Sequence, residues 1–300
     1  DLVLGLLDAD NFLGGDMKLD RPAALAAMKR LGERLGTGID DTARGIYRIV
    51  AEAMASATRA HATDRGVDYR GLPLLAFGGA GPVHACEVGS LLMSRAVIFP
   101  PQASVLSAFG TLVTPVRLDL VRSALGLLKA VDWDRATRLI HDMEREGRAA
   151  LQAAGVAAAD IRISFGADLR YFGQQNEVSI EIATDPRADH DPAPIHAEFE
   201  RAYFAQYGFN PNHVAVEVVN WRLTAHGPDV ERSVPANTAS TPGAPRGSRE
   251  VTLWASARAV PVYERRTLAT GQSLDGPALI EERETTIVIP PGWRAVVDRT

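Results

Sequence analysis

The stretch from Leu74 to Ala85, LLAFGGAGPVHA, decides the fold of this chain. Its four leading apolar residues are too few for a helix and suit a buried strand. Two glycines follow at once and a third comes after Ala80, and then Pro82 favours the first turn of a helix. An apolar and small-residue run continues from Val83 to Leu92. The stretch therefore predicts a strand, a tight glycine turn and a helix.

The glycine turn also indicates a ligand site. Because glycine has no Cβ, a ligand can lie directly on the backbone, and the free N–H groups at a helix start favour an anion or a polar ring edge. A nucleotide fits this description. The spacing is neither G-x-G-x-x-G nor the lysine-bearing phosphate loop. From spacing alone, a plain strand-to-helix turn in any α/β protein is the slightly better interpretation.

Composition excludes several classes of protein. The chain has 300 residues with 46% apolar and 23% charged content, which suits a folded protein of two domains. The net charge is −5 without a basic block, so nucleic acid is not an expected partner. No apolar run is long enough for a membrane span. The single cysteine, Cys86, predicts a reducing, cytoplasmic setting, and we expect it to be buried and inert.

The first part of the chain, residues 1–123, has the pattern of a layered α/β domain. Asp20 is a predicted helix cap before Pro22, and Asp40 or Asp41 is predicted to cap a second helix that ends near His61 or Asp64. Strands are predicted at 74–77 and 96–99, with a helix after each. The chain starts at Asp1 without an initiator methionine, and we expect it to be a piece of a longer protein.

The second part, residues 124–300, is predicted to be an α+β, β-rich domain. Asp132 is a predicted cap for a helix over 133–154, and a hairpin is predicted from 161–172 and 177–182. A loop is predicted at 185–194, a helix at 195–207 and a strand at 214–225. Residues 227–249 are rich in Pro, Ser, Thr, Ala and Gly and predict a linker. Five short strands are predicted beyond it, at 250–254, 259–263, 278–281, 285–289 and 293–297.

The segment FGGAGPVHA at Phe77–Ala85 resembles the A subunit of the hydantoinase/oxoprolinase family, of the N-methylhydantoinase A type. Further segments in the right order extend the resemblance over nearly the whole chain. These segments are residues 1–15, 100–112, 169–178, 216–223 and 276–286, with the PPGW sequence at 290–293.

The resemblance implies both a fold and an activity. The fold would be the C-terminal part of an actin/hexokinase-like ATPase domain, followed by the C-terminal domain. The activity would be ATP-dependent opening of a cyclic amide, such as a hydantoin or 5-oxoproline, through phosphorylation of the amide oxygen. ATP and Mg²⁺ would be the cofactors. A hydantoinase B-type subunit or fused half would be the partner, in an oligomeric assembly.

The resemblance also implies site residues. Gly78, Gly79 and Gly81 would line the adenine and ribose, and Pro82 and His84 would shape the helix start beside them. The family's Asp-x-Gly-Gly-Thr phosphate loop does not occur here, so the magnesium ligands are expected mostly upstream of Asp1. We expect this chain alone to lack ATPase activity. Two alternatives stay open, which are an ATP-dependent ketone carboxylase subunit and a non-catalytic nucleotide-binding or assembly module.

Other polar residues allow a functional and a plain interpretation. His84 is interpreted as a helix-start histidine bonded to a carbonyl, and Asp119 with Arg122 as a surface ion pair. A ligand could contact Ser104, Ser107 and Thr111, or the serines could only cap helices. A partner could contact Arg170, Tyr171, Gln174 and Gln175, or these residues could only form a hairpin. A cation could bind Asp8, Asp10 and Asn11, or these residues could only form a solvated turn. No zinc pattern or serine elbow is present in the sequence.

Overall fold

The computed structural model describes residues 1–230, 241–254 and 256–298. Contacts divide these residues into two compact units. The first unit contains residues 1–111 together with the described residues after 240, and the second contains residues 112–230. The chain therefore leaves the first unit and returns to it.

Both units contain helices and strands. The described residues contain these α-helices: α1 (Arg21–Leu35), α2 (Ile39–Asp64), α3 (Gly81–Leu91), α4 (Leu106–Val113), α5 (Trp133–Ala153), α6 (Pro186–Asp189) and α7 (Pro192–Tyr207). The strands are β1 (Leu74–Leu75), β2 (Val97–Ile98), β3 (Arg117–Leu127), β4 (Arg162–Tyr171), β5 (Val178–Ile182), β6 (Val216–His226), β7 (Gly247–Val251), β8 (Arg258–Glu264), β9 (Ser273–Asp275), β10 (Ala278–Glu281), β11 (Thr286–Ile289) and β12 (Arg294–Val296).

Three small sheets build the first unit. The strands β1 and β2 pair in parallel, as expected for a strand–helix–strand crossover through α3. A four-stranded sheet has the order β11-β10-β8-β7, and β12 pairs with β9. The strands β10 and β11 are buried throughout, which explains the apolar runs Ala278–Ile280 and Ile287–Ile289 in the sequence.

The two ends of the chain share one core in the first unit. Val3, Leu4 and Leu6 are buried in the same apolar cluster as Val251 and Val260. The backbone N–H of Thr252 donates to the carbonyl of Leu4 at 3.1 Å. This contact is so close that a Cβ at Gly5 would lie 2.0 Å from the carbonyl oxygen of Glu250. Burial of these residues explains why the strands after residue 240 belong with residues 1–111.

The second unit is an antiparallel sheet covered by helices. Its strand order is β3-β6-β4-β5, and β4 pairs with β5 as the predicted hairpin. The side chains of Ala167, Leu169, Trp221 and Leu223 alternate with polar residues and are buried in one core with α5 and α7. Asp132 caps α5 as predicted, and its carboxylate accepts from the backbone N–H of Arg135 at 2.9 Å.

Some local predictions are wrong. Gly38, not Asp40 or Asp41, is the N-cap of α2. The two aspartates lie in the first turn, where their negative charges interact favourably with the positive end of the helix dipole. The loop predicted at 185–194 contains α6 and the start of α7, because Asp185 and Asp191 each cap a helix that begins with proline. Residues 117–127 form β3, which the sequence left unassigned.

The compact units group the chain differently from the predicted domains. The linker predicted near 227–249 lies partly outside the described residues, at 231–240, and its last residues from Gly247 onward belong to β7. The compact units join residues 241–298 to residues 1–111, whereas the sequence groups them with 124–300. The division of the family domains at residue 123 stays a prediction.

We expect Met143→Ala to lower the free energy of unfolding of the second unit by about 2–4 kcal/mol, because it would leave a cavity between α5 and the sheet. Met143 is fully buried there. Urea unfolding followed by circular dichroism measures this loss. Arg145→Ala on the same helix is the matched control, since its ion pair with Asp142 is exposed and should contribute less than about 0.5 kcal/mol. A loss below about 1 kcal/mol for Met143→Ala would contradict the assigned core.

Candidate functional site

The glycine turn joins β1 to α3 at the surface of the first unit. Gly78 has a φ of +91°, a conformation that glycine adopts without strain. Nothing lies within 4 Å of the position that a Cβ would take at Gly78 or Gly81. Gly79 and Ala80 are exposed. The backbone of the turn is therefore open to a ligand from outside.

Hydrogen bonds from neighbouring segments hold this turn. The N–H of Gly78 donates to the carbonyl of Ala103 at 2.7 Å. The carbonyl of Gly79 accepts from the buried hydroxyl of Thr285 at 2.7 Å. Because both partners come from distant parts of the chain, the turn is fixed by tertiary structure as well as by its own sequence.

Pro82 and His84 lie behind the turn and are buried. The ring of His84 stacks on Tyr47 with centroids 4.5 Å apart, and its Nε2 lies 3.4 Å from the carboxylate of Asp1. The predicted bond from His84 to a carbonyl is thus not formed. Its Nδ1 has no hydrogen-bond partner among the described residues. Burial lowers the pKa of His84 below its ordinary value, so the ring is neutral at pH 7.

The five predicted site residues therefore form two layers. The three glycines are at the open face, whereas Pro82 and His84 support the helix start from inside. This arrangement can accept a flat or anionic group on the backbone of the turn.

A cleft of about 1230 Å³ lies in the first unit beside the turn. Ser104 and Glu284 are on its wall and share a hydrogen bond of 3.2 Å. The carbonyl oxygen of Glu284 lies 3.6 Å from the position that a Cβ would take at Gly79. Residues 78–81 do not line the cleft themselves, but they contact segments that form its wall. Phe99 and Trp293 add aromatic surface to its lining.

Buried and half-buried ion pairs shape the polar part of this cleft. Arg265 donates to the carbonyls of Phe99 and Pro100 at 2.6 Å and 2.9 Å and also pairs with Glu282. Glu281 is almost fully buried and accepts from Arg249 at 2.6 Å. These pairs fix the wall, because each charge has an opposite charge beside it.

Sequence reasoning missed the roles of Arg265, Glu281 and Glu282. The available signal was the charged run EERE at 281–284, whose first residue, Glu281, ends the buried strand β10. A charged run at a strand end is usually exposed, so the pattern alone did not indicate that Glu281 is buried.

The acidic turn near the start of the chain forms ion pairs and hydrogen bonds. Asp8 lies 3.1 Å from Arg249, Asn11 donates to Glu281 at 3.4 Å, and Asp10 pairs with Lys18 at 3.5 Å. Within the part of the chain that the structure describes, no group of three or more His, Cys, Asp or Glu residues could hold a metal ion.

The remaining candidates do not gather at one site. Asp119 pairs with Arg117 at 2.7 Å and Arg122 pairs with Glu146 at 2.5 Å, so the predicted pair between Asp119 and Arg122 is not formed. Thr111 donates to the carbonyl of Ala108 within its own helix. Ser107 lies in α4.

The hairpin residues belong to the second unit. Arg170 is paired with Glu217 at 3.0 Å, and Tyr171 is buried. The side-chain amide of Gln174 donates to the hydroxyl of Tyr203 at 2.9 Å, which ties the hairpin turn to α7. Gln175 follows it in the turn.

Two family models match the chain. The hydantoinase/oxoprolinase model matches residues 1–120, and the model of the hydantoinase/oxoprolinase C-terminal domain matches residues 131–300. The chain belongs to the hydantoinase/oxoprolinase family. The resemblance inferred from the separated sequence segments is thereby confirmed.

Named relatives are similar over most of this chain but are longer. The caprolactamase subunit alpha of Pseudomonas jessenii is 29% identical over 99% of this chain and 44% of its own length. The acetone carboxylase beta subunit of Xanthobacter autotrophicus is 26% identical over 99% of this chain and 44% of its own length. The 5-oxoprolinase PfmaA of Pestalotiopsis fici is 26% identical over 86% of this chain and 20% of its own length. The chain thus spans less than half the length of these relatives.

Two solved structures have a similar fold. A nucleotide-free acetone carboxylase, described as ATP-dependent, superposes with a TM-score of 0.78 at 24% identity, over 99% of this chain and 44% of that one. The ATP-dependent caprolactamase from Pseudomonas jessenii superposes with a TM-score of 0.69 at 29% identity and the same coverage. The predicted mixed α/β fold class is confirmed. No helix among the described residues has the length and apolar character of a membrane span.

We expect the thiol of Cys86 to be unreactive in the folded protein. It is 3% exposed, and burial raises its pKa to about 12, so at pH 8 nearly every molecule carries the protonated thiol. Alkylation by iodoacetamide at pH 8 should be roughly 1000-fold slower than that of an unhindered thiol. Mass spectrometry of native and urea-unfolded protein measures the two rates. Equal rates would show that Cys86 is accessible and reactive.

Proposed function

We propose that the complete protein is a subunit of an ATP-dependent amidohydrolase that opens a cyclic amide. The amide oxygen of a hydantoin or of 5-oxoproline would receive the γ-phosphoryl group of ATP, and water would then attack the activated carbon. Such a reaction depends mainly on positioning and on stabilisation of charge. The chain described above would contribute the nucleoside side of the site.

The observation that carries this proposal is the open glycine turn at the start of α3. Its backbone is accessible at Gly78, Gly79 and Gly81. The residues that anchor it, Ala103 and Thr285, are next in sequence to Ser104 and Glu284, which line a cleft large enough for a nucleotide. The glycines would line the adenine and ribose of ATP. Pro82 and His84 would fix the helix start from the buried side. ATP would supply the phosphoryl group, and most Mg²⁺ ligands would lie upstream of Asp1.

The relatives support the choice of reaction. A caprolactamase and a 5-oxoprolinase, by their names, act on cyclic amides, and the caprolactamase is described as ATP-dependent. We propose that residues 1–123 complete an ATPase domain and that residues 124–300 form the C-terminal domain. Because the caprolactamase and acetone carboxylase relatives are named as subunits, we also propose a companion, a hydantoinase B-type subunit or a fused half.

A ketone carboxylase subunit is the second candidate. The acetone carboxylase beta subunit and the acetophenone carboxylase gamma subunit of Aromatoleum aromaticum are 26% and 28% identical to this chain, close to the 29% of the caprolactamase. The two reactions share ATP and a substrate carbonyl oxygen. The glycine turn would serve both equally well. A non-catalytic nucleotide-binding or assembly module is the third candidate.

Substrate-dependent release of ADP by the complete protein with its companion subunit tests the reaction. We expect release with 5-oxoproline, hydantoin, N-methylhydantoin or caprolactam. Release only with acetone plus bicarbonate would instead assign the carboxylase reaction. If no substrate released ADP while ADP still bound, the protein would be a nucleotide-binding module and the amidohydrolase proposal would be wrong.

We expect Gly79→Asp to weaken ADP binding to the complete protein by at least about tenfold. The new side chain would cover the backbone of the turn, and its charge would repel the phosphates. Calorimetry measures the affinity. Gly45→Asp is the matched control, because it adds the same side chain to an open glycine of α2 away from the turn. Unchanged affinity in Gly79→Asp would remove the turn from the nucleotide site.

A further inference from the structure

Gln102, which follows the carboxyl end of β2, has a backbone conformation that its side chain disfavours. Its φ is +56° and its ψ is +35°, in the left-handed region that glycine and asparagine adopt more easily. Its carbonyl accepts from the N–H of Val105 at 3.0 Å, which a smaller residue would allow equally well. The side chain is exposed, and its amide has no hydrogen-bond partner among the described residues. Local structure therefore does not explain why a glutamine stands here.

The position of Gln102 connects the glycine turn with the cleft of the first unit. Gln102 lines the cleft. The next residue, Ala103, is buried, and its carbonyl accepts from the N–H of Gly78 at 2.7 Å. The glycine turn and Gln102 follow the carboxyl ends of the parallel strands β1 and β2, which is where α/β sheets bind ligands. A nucleoside on the turn would therefore lie close to the side chain of Gln102.

The polar groups around the turn suit a base better than a phosphate group. Residues 71–86 and 96–116 contain no Lys, Arg, Asp or Glu. The hydroxyl of Ser104 already donates to Glu284 at 3.2 Å, and that of Thr111 donates to Ala108 at 2.7 Å. The carboxamide of Gln102 offers a donor and an acceptor side by side. Adenine presents the matching pair, because its 6-amino group is a donor and the neighbouring ring nitrogen is an acceptor.

We propose that Gln102 selects the base of the nucleotide through its side-chain amide. The amide oxygen accepts from the 6-amino group of adenine, and the NH₂ group donates to the neighbouring ring nitrogen. This inference rests on the proposed function, because it takes the glycine turn as the nucleoside site. It adds a residue that recognises adenine by hydrogen bonds, whereas the glycines only leave room for the ligand. The disfavoured backbone of Gln102 is then a feature of the binding site, where such conformations are common.

Calorimetry of the complete protein with two ligands tests this role. The ligands are ADP and purine riboside 5′-diphosphate, which lacks the 6-amino group and is otherwise the same. We expect the wild type to bind ADP about tenfold more tightly than the analogue, because the analogue leaves the amide oxygen of Gln102 without its donor. Gln102→Gly should bind the two ligands equally, with an affinity for ADP about tenfold below that of the wild type.

Met93→Gly is the matched control, because it also replaces an exposed residue of positive φ by glycine, outside the lining of the cleft. It should keep the full preference for ADP. Gln102→Gly should stay folded, since glycine adopts a positive φ without strain, and its melting temperature establishes this. If the wild type binds both ligands equally, or if Gln102→Gly keeps the preference, the role of Gln102 is wrong while the nucleotide site stands. A wild type that binds neither ligand would overturn the proposed function as well.

Discussion

The structure of the first unit depends on the burial of residues 3–6 against the strands that follow residue 240. Leu4 and Leu6 are fully buried there, and the backbones approach so closely that position 5 has no room for a side chain. This contact joins parts of the chain that are about 245 residues apart in sequence. It brings β10 and β11 beside α3, so that Thr285 can bond the carbonyl of Gly79. One of the two hydrogen bonds that hold the glycine turn therefore comes from the part of the chain that follows residue 240.

A turn held in this way suits ligand binding. The carbonyl of Ala103 and the hydroxyl of Thr285 anchor the turn from within the protein, and the outer face of its backbone stays free. A ligand would not need to order the loop, so less conformational entropy would be lost on binding. The neutral, buried ring of His84 supports the same element from behind without exposing a charge.

Local patterns predicted local structure, and long-range contacts were beyond them. The Asp132 cap, the β4–β5 hairpin and the order strand, glycine turn, helix follow from residue types a few positions apart, and all three are present. The buried strand predicted over 74–77 is wrong in detail, because only Leu74 and Leu75 form a strand and the side chains of Leu75 and Phe77 are exposed. Strand β3 was missed because a register shift between Ser123 and Gly126 interrupts its alternation. The positions of Glu281 and His84 could not be predicted, because their partners come from distant segments. The family resemblance identified the glycine turn as a candidate site, while its geometry required the folded chain.

The discontinuous first unit has a consequence for the order in which the protein folds during synthesis. The second unit is one continuous segment and can fold as soon as it has left the ribosome. The first unit cannot complete its core until the strands after residue 240 have been made, so Leu4, Leu6 and Val83 lack the partners that Val251, Val260 and Val288 supply while more than a hundred residues are translated. Until then part of its apolar surface has no cover, and transiently exposed apolar surface favours association with other chains.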